Sequence, residues 1–201
     1  MEASLAPARK LEGEKAQRIV EAMRSSVGKR GAAGSTFDVV AREAGVSRGL
    51  LHYYFGSKER LMVEVVRSDC DARVAALEEN LATATSADEF VAFLVQTLDA
   101  FLSDEAGQAV LYEMLSASRR SEEIRAELAE LYRRWRAQLA DALRDKQQEG
   151  VVVLDAEPEA VAALLFALGD GMGLQVISDP EWNSAPAFEL GIETARSLLG
   201  A

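Results

Sequence analysis

Apolar side chains at Ile124, Leu128, Leu131, Trp135, Leu139 and Leu143 recur four, three, four, four and four residues apart. That spacing lines one face of an α-helix and no face of a strand. The opposite period is missing. Val151-Val152-Val153 is the longest β-branched run, and three residues build no sheet. The chain therefore has to bury its apolar residues by packing helices on helices.

Capping and breaking residues divide it. A loose arm is expected over 1–10, then a helix from about Leu11 to Val27, broken by Gly28, Gly31 and Gly34. Two short helices follow, at about 36–43 and 47–54. Ser57 caps a longer one reaching about Asn80. Ser86-Ala87-Asp88-Glu89 reads as a capping box opening a helix to about Ser103. Further helices are expected over 106–118, from Ser121 to near Gly150, over 158–178, and over 185–199. Pro158 suits a first helical turn, and Asp179-Pro180 ends that helix.

Composition removes several kinds of chemistry. Cys70 and His52 are the only cysteine and the only histidine. No intrachain disulfide can form, and zinc sites or catalytic triads built on His and Cys lack material. No catalytic or metal-binding residue is assigned; carboxylate-only sites are not excluded by counting. The longest apolar run, Ala160–Leu168, has nine residues, where a bilayer span needs about 20. No basic segment followed by an apolar one opens the chain. A cytoplasmic protein without membrane contact or cofactor is expected.

The net charge of −11 is unevenly spread. Residues 1–60 hold eleven Lys/Arg and seven Asp/Glu, a net of +4, so the remainder carries −15. A basic end and an acidic body suggest that only the end meets a polyanion.

The basic end contains TFDVVAREAGVSRGLLHYYFGSK, residues 36–58. Phe37, Val40, Ala41 and Ala44 give one short apolar helix face. Gly45 suits a turn needing positive φ. Ser47 can cap a second helix in which Leu51 and Phe55 point inward. This is a helix, a glycine turn and a helix, the arrangement whose second helix enters the major groove of DNA. Arg48, Leu50, His52, Tyr53 and Tyr54 lie between its buried positions.

The stretch resembles the DNA-binding head of the TetR family of transcriptional regulators. Thr36, Ala41-Arg42-Glu43-Ala44-Gly45-Val46-Ser47, Gly49, Leu51, Tyr54-Phe55 and Ser57-Lys58 match the family's pattern, with Ile19 and Gly31 before them. The resemblance implies an all-α fold in two parts. A three-helix DNA-binding head would occupy 1–56, and a helical ligand-binding and dimerisation domain 57–201. It also implies roles: Ser47 opens the recognition helix, and Arg48, Gly49, Leu50 and Tyr53 face base edges. His52, Tyr54 and Lys58 reach phosphates, and Thr36 stands at a helix N-terminus able to meet one. Tyr132-Arg133-Arg134-Trp135 and Gly169-Asp170-Gly171 look similar to the C-terminal domain of choline-responsive members. His52 stands where the family usually has tyrosine, Ala32 where it has an aromatic, and Val27 where it has phenylalanine. Ser26 occupies a position usually apolar. Phe37, larger than usual, is expected to fill the space.

In the long domain, Phe93, Phe101, Tyr112, Trp135, Phe166 and Asp170 are candidate pocket residues for an unidentified small-molecule effector. Asp170, between glycines in an apolar helix, can cap, pair across a dimer or face a ligand. Ala160–Leu168 is apolar on every side, so it needs cover on every side, and a second copy of the chain supplies that cover. Dimerisation is expected through helices at about 158–178 and 185–199. The expected function is a repressor that binds a palindromic DNA operator as a homodimer and is released by its effector. The alternatives are an activator, a co-repressor-dependent regulator and, more remotely, a dimerisation module or enzyme without DNA binding.

Overall fold

The computed structural model describes residues 13–200, so the arm at 1–10 and the helix start at Leu11 lie outside the described residues. Among those residues the elements are α1 (Glu14–Gly34), α2 (Phe37–Ala44), α3 (Arg48–Phe55), α4 (Lys58–Thr83), α5 (Ala87–Leu102), α6 (Glu105–Ser118), α7 (Glu122–Gln148), α8 (Pro158–Ser178) and α9 (Ala185–Leu199). No strand occurs among them, and Val151-Val152-Val153 is irregular.

Two compact units form. The first contains residues up to Ser68 together with Glu105–Glu127; the second contains Asp69–Asp104 and Leu128–Ala201. These units do not follow a line at 56/57, because α6 packs against α1.

In the first unit only one of the three glycines expected to break α1 does so. Gly31 takes φ 69° and kinks the helix. Gly28 stays helical for a different reason. A Cβ placed there would lie 2.8 Å from the Cβ of Ala106 on α6. The glycine lets the two helices approach. Ile19, Met23 and Val27 of α1, Val110 and Met114 of α6, and Leu61 and Val65 of α4 are buried in this unit.

In the second unit, Leu81, Phe90, Val91, Leu139, Ala140, Leu143, Val161, Ala162 and Leu199 form a core from α4, α5, α7, α8 and α9. The expected stripe on α7 is buried: Leu128, Leu131, Leu139 and Leu143 in this unit, with Trp135 half-buried, and Ile124 in the first unit. Within this unit, contacts between α4 and α7 keep a near-constant offset. Arg134 pairs with Asp71, the Gln138 amide donates to Glu78 at 2.8 Å, and the buried Lys146 Nζ donates to the Ala82 carbonyl at 2.8 Å. Rising numbers on one helix meet rising numbers on the other, so the two run parallel. The box at Ser86 forms with a shift. The Ser86 hydroxyl accepts from Glu89 N–H at 3.2 Å, while the Glu89 carboxylate accepts from both the N–H and the hydroxyl of Thr85 at 2.7 Å.

Helix α8 is not buried all round within one chain. Of its residues only Val161, Ala162 and Gly173 are buried. Leu164 and Leu174 are 46% and 53% exposed, and Leu190 of α9 is 69% exposed. By length and composition alone α8 could cross a bilayer, which the nine-residue run had not suggested.

Alanine at a mid-helix glycine normally gains up to about 1 kcal/mol. Gly28→Ala should instead cost about 1–3 kcal/mol, because the added methyl overpacks the crossing with Ala106. Urea denaturation reads the sign directly.

Candidate nucleic-acid interface and ligand cluster

The helix-turn-helix closes through its end groups. Thr36 caps α2, its hydroxyl accepting from Val39 N–H. Gly45 ends α2 with φ 65°, and Val46 N–H donates to the Ala41 carbonyl at 2.9 Å. That is a left-handed helix stop that a side chain would strain. Ser47 then opens α3 by accepting from Leu50 N–H at 3.3 Å. Leu51 and Phe55 of α3 are buried, as are Val40, Ala41 and Ala44 of α2. Ser47, Arg48, Gly49, His52, Tyr53 and Tyr54 are exposed, and Leu50 is half-buried. The candidate residues of α3 thus share one open face.

Several of them already hold partners. Arg48 Nη1 donates to both oxygens of Asp38, at 3.0 and 3.3 Å. Its Nε reaches His52 Nε2 at 3.5 Å, and His52 Nδ1 faces the Gly56 carbonyl at 3.2 Å. Lys58 Nζ donates to the Ala32 carbonyl at 2.7 Å, tying the start of α4 to the end of α1. Arg30 pairs with Glu43 at 2.7 Å. Phe37 is buried, but its ring meets His52 edge-on at 4.8 Å between centroids. Val27, Ala32 and Ser26 are all buried, and Ser26 accepts from Arg30 at 3.4 Å.

The second unit assembles part of the predicted ligand set. Trp135 of α7 and Phe166 of α8 stack with 14° between planes and 6.1 Å between centroids. Tyr132, one turn before Trp135, meets it edge-on at 5.2 Å and donates its hydroxyl to Asp170 of α8. Burial of the Asp170 carboxyl pushes its pKa above the ordinary carboxylate value, and the tyrosine hydrogen bond pulls it partly back. Two stacked rings, a phenol and a carboxyl that still meets solvent in the single chain therefore converge between α7 and α8. Phe101 lies elsewhere in this unit, under the Arg73 guanidinium at 5.1 Å and beside Gly173. Phe93 packs on the core. Tyr112 is on α6 and belongs to the first unit.

Two residues that the sequence reading did not place among the site candidates enter here. Tyr132 had a signal, its position three before Trp135 on the same helix face. Asp38 had none, since nothing in the sequence announces its contact with Arg48. No group of three or more His, Cys, Asp or Glu suited to a metal occurs among the described residues.

Comparison with known proteins agrees with the geometry. Residues 19–65 match the family model described as bacterial regulatory proteins, tetR family. Residues 86–200 match that of the BetI-type transcriptional repressor, C-terminal. The HTH-type transcriptional regulator BetI of Rhizobium meliloti (strain 1021) is 35% identical over 133 residues, which cover 63% of this chain and 63% of that protein. The HTH-type transcriptional regulator UidR of Escherichia coli (strain K12) is 24% identical over 184 residues, 91% of this chain and 90% of its own. A putative transcriptional regulator from Saccharomonospora viridis, solved in complex with choline, superposes with a TM-score of 0.73 at 25% identity, covering 90% of this chain and 94% of that one.

Cys70 offers a direct check on the packing. Burial pushes its thiol up to about 12, and the nearby Arg73 charge offsets only part of that. A thiol this reluctant to ionise reacts slowly. At pH 7–8 it should not react with a thiol reagent in the native protein, and should react fully once the protein is unfolded in urea.

Proposed function

Because the chain belongs to the TetR family of transcriptional regulators, we propose that it is a repressor that binds a palindromic operator as a homodimer and is released by a cationic small-molecule effector. One observation carries the DNA reading. Helix α3 buries Leu51 and Phe55 and leaves Arg48, Gly49, Leu50, His52, Tyr53 and Tyr54 on its free side. Arg48 reads a base edge, where a guanidinium can bond guanine O6 and N7 together. Tyr53 adds an apolar contact. His52, Tyr54, Lys58 and the Thr36 end of α2 take phosphates. The head over 1–56 binds DNA in the cytoplasm, and 57–201 senses and dimerises.

The open apolar face of α8 and α9 supports the homodimer. Leu164, Leu174 and Leu190 would be covered by the same surface of a second copy, as closed two-fold pairs require. Gly171 has nothing within 4 Å of a built Cβ, which leaves room for a close helix approach. Two heads then engage half-sites about 34 Å apart or a multiple of it.

The α7–α8 cluster supports the effector class. Aromatic faces attract a cation, and the Asp170 carboxyl, costly to ionise where it stands, is repaid by a positive neighbour. The choline complex of the Saccharomonospora viridis protein points the same way. The effector binds the DNA-incompetent form more tightly, and DNA weakens the effector equally.

Selection of random duplexes on the purified protein should enrich a palindrome that loses definition in Arg48→Ala, at a cost of about 1–3 kcal/mol in discrimination. No enriched motif at low salt overturns the reading.

A second outcome concerns Asp170. A raised carboxyl pKa means the ionised form weakens the fold above the folded-state value, and the penalty vanishes below the unfolded value near 4. Asp170 is exposed in the single chain, so solvent screens the effect: Asp170→Asn should match or slightly exceed the parent's thermal stability at pH 7, with any gain lost as pH falls toward 4. It should also abolish operator release by a quaternary ammonium compound.

A further inference from the structure

Arg48 does not hang free from α3. Two of its three guanidinium nitrogens are engaged, Nη1 by the Asp38 carboxylate of α2 at 3.0 and 3.3 Å and Nε by His52 Nε2 at 3.5 Å, the outer limit of a hydrogen bond. Nη2 makes no hydrogen bond among the described residues. For Nε2 to accept, His52 must be neutral with its proton on Nδ1. The Gly56 carbonyl, 3.2 Å from Nδ1, selects that tautomer. The imidazole also meets the Phe37 ring of α2, edge-on at 4.8 Å.

We propose that Asp38 and neutral His52 are positioning residues for Arg48, and that together they set the base-reading specificity of α3 separately from its affinity for phosphates. The inference rests on Arg48 reading a base. A free arginine loses rotamer freedom when it docks on a base edge, and a guanidinium already held at two nitrogens loses less. Asp38 and Arg48 are both exposed, so their pair contributes little to folding. Its consequence falls on orientation. Loss of the imidazole acceptor would free Nε, and loss of the carboxylate would free Nη1. Either change lets the guanidinium swing away from the base edge.

The test uses the full chain and the operator enriched by selection. Fluorescence anisotropy compares that operator with a scrambled duplex of equal length for the parent, Asp38→Asn, Asp38→Ala and His52→Ala, over a range of salt at one pH. Circular dichroism melts confirm folding, and Asp38→Asn keeps the shape of the side chain if Asp38→Ala disturbs α2. The ratio of specific to non-specific affinity should fall about tenfold in both Asp38 variants, within the range one base contact supplies. The salt dependence on the scrambled duplex should stay unchanged. The ratio should also fall in His52→Ala, by less than in the Asp38 variants, because Nε is held at 3.5 Å and Nη1 at 3.0 Å. An unchanged ratio in both Asp38 variants overturns the proposal. So does an equal loss on both duplexes, or a gain of operator affinity, which would make Asp38 a mask over Arg48. An unchanged ratio in His52→Ala removes His52 from it. Failure to enrich any operator would sink the DNA reading instead, so the two failures are distinct.

Discussion

The buried ammonium of Lys146 sits where α4 ends. It donates to the Ala82 carbonyl and to Glu149, and is 5% exposed. A buried charge is tolerated only when its hydrogen bonds are made, so this contact holds the end of α4 against α7. With Gln138–Glu78 and Arg134–Asp71 it sets the two helices parallel within the second unit. The exposed pairs are individually weak. Lys146 is the one that cannot be left unmatched.

That register determines what α7 offers α8. With Leu139 and Leu143 turned into the core, Trp135 and Tyr132 fall on the flank that meets Phe166 and Asp170. On α8, Gly169 and Gly173 stand beside Leu98 and Leu102 of α5. Larger residues there would move the helix outward, and Asp170 with it. The same helix keeps Leu164 and Leu174 in solvent. Stability of one chain is thus left incomplete at the surface where a second copy would bind, close in sequence to the carboxyl proposed to sense the effector. Coupling between effector and dimer geometry needs no longer path than α8.

The helical character, the α7 stripe and the glycine turn of the DNA-binding motif were legible because each rests on local spacing. So did Ser47 as a cap and Leu51 and Phe55 as buried anchors. Glycine was harder to read. Gly28, Gly31 and Gly34 look alike in sequence, yet only Gly31 leaves the helix; Gly28 serves a contact with Ala106, distant in the chain. Lys58 shows the same limit, since its amine reaches Ala32 across 26 residues. Of the aromatic candidates, Trp135 and Phe166 met, while Tyr112 belongs to the other unit. Helical period places a residue on a face but says nothing of which face lies opposite.

The sequence by itself determined an all-helical chain, the helix-turn-helix with its exposed basic and aromatic face, and an apolar α8 with too little chain to cover it. Those follow from period, capping and charge, which act within a few residues. Only the tertiary structure decided that α6 packs on α1, that Tyr132 and Asp170 share a proton-bearing contact, and that Asp38 and His52 hold Arg48. Those depend on distances between residues far apart in the chain, which close only when the packing of whole helices sets their register.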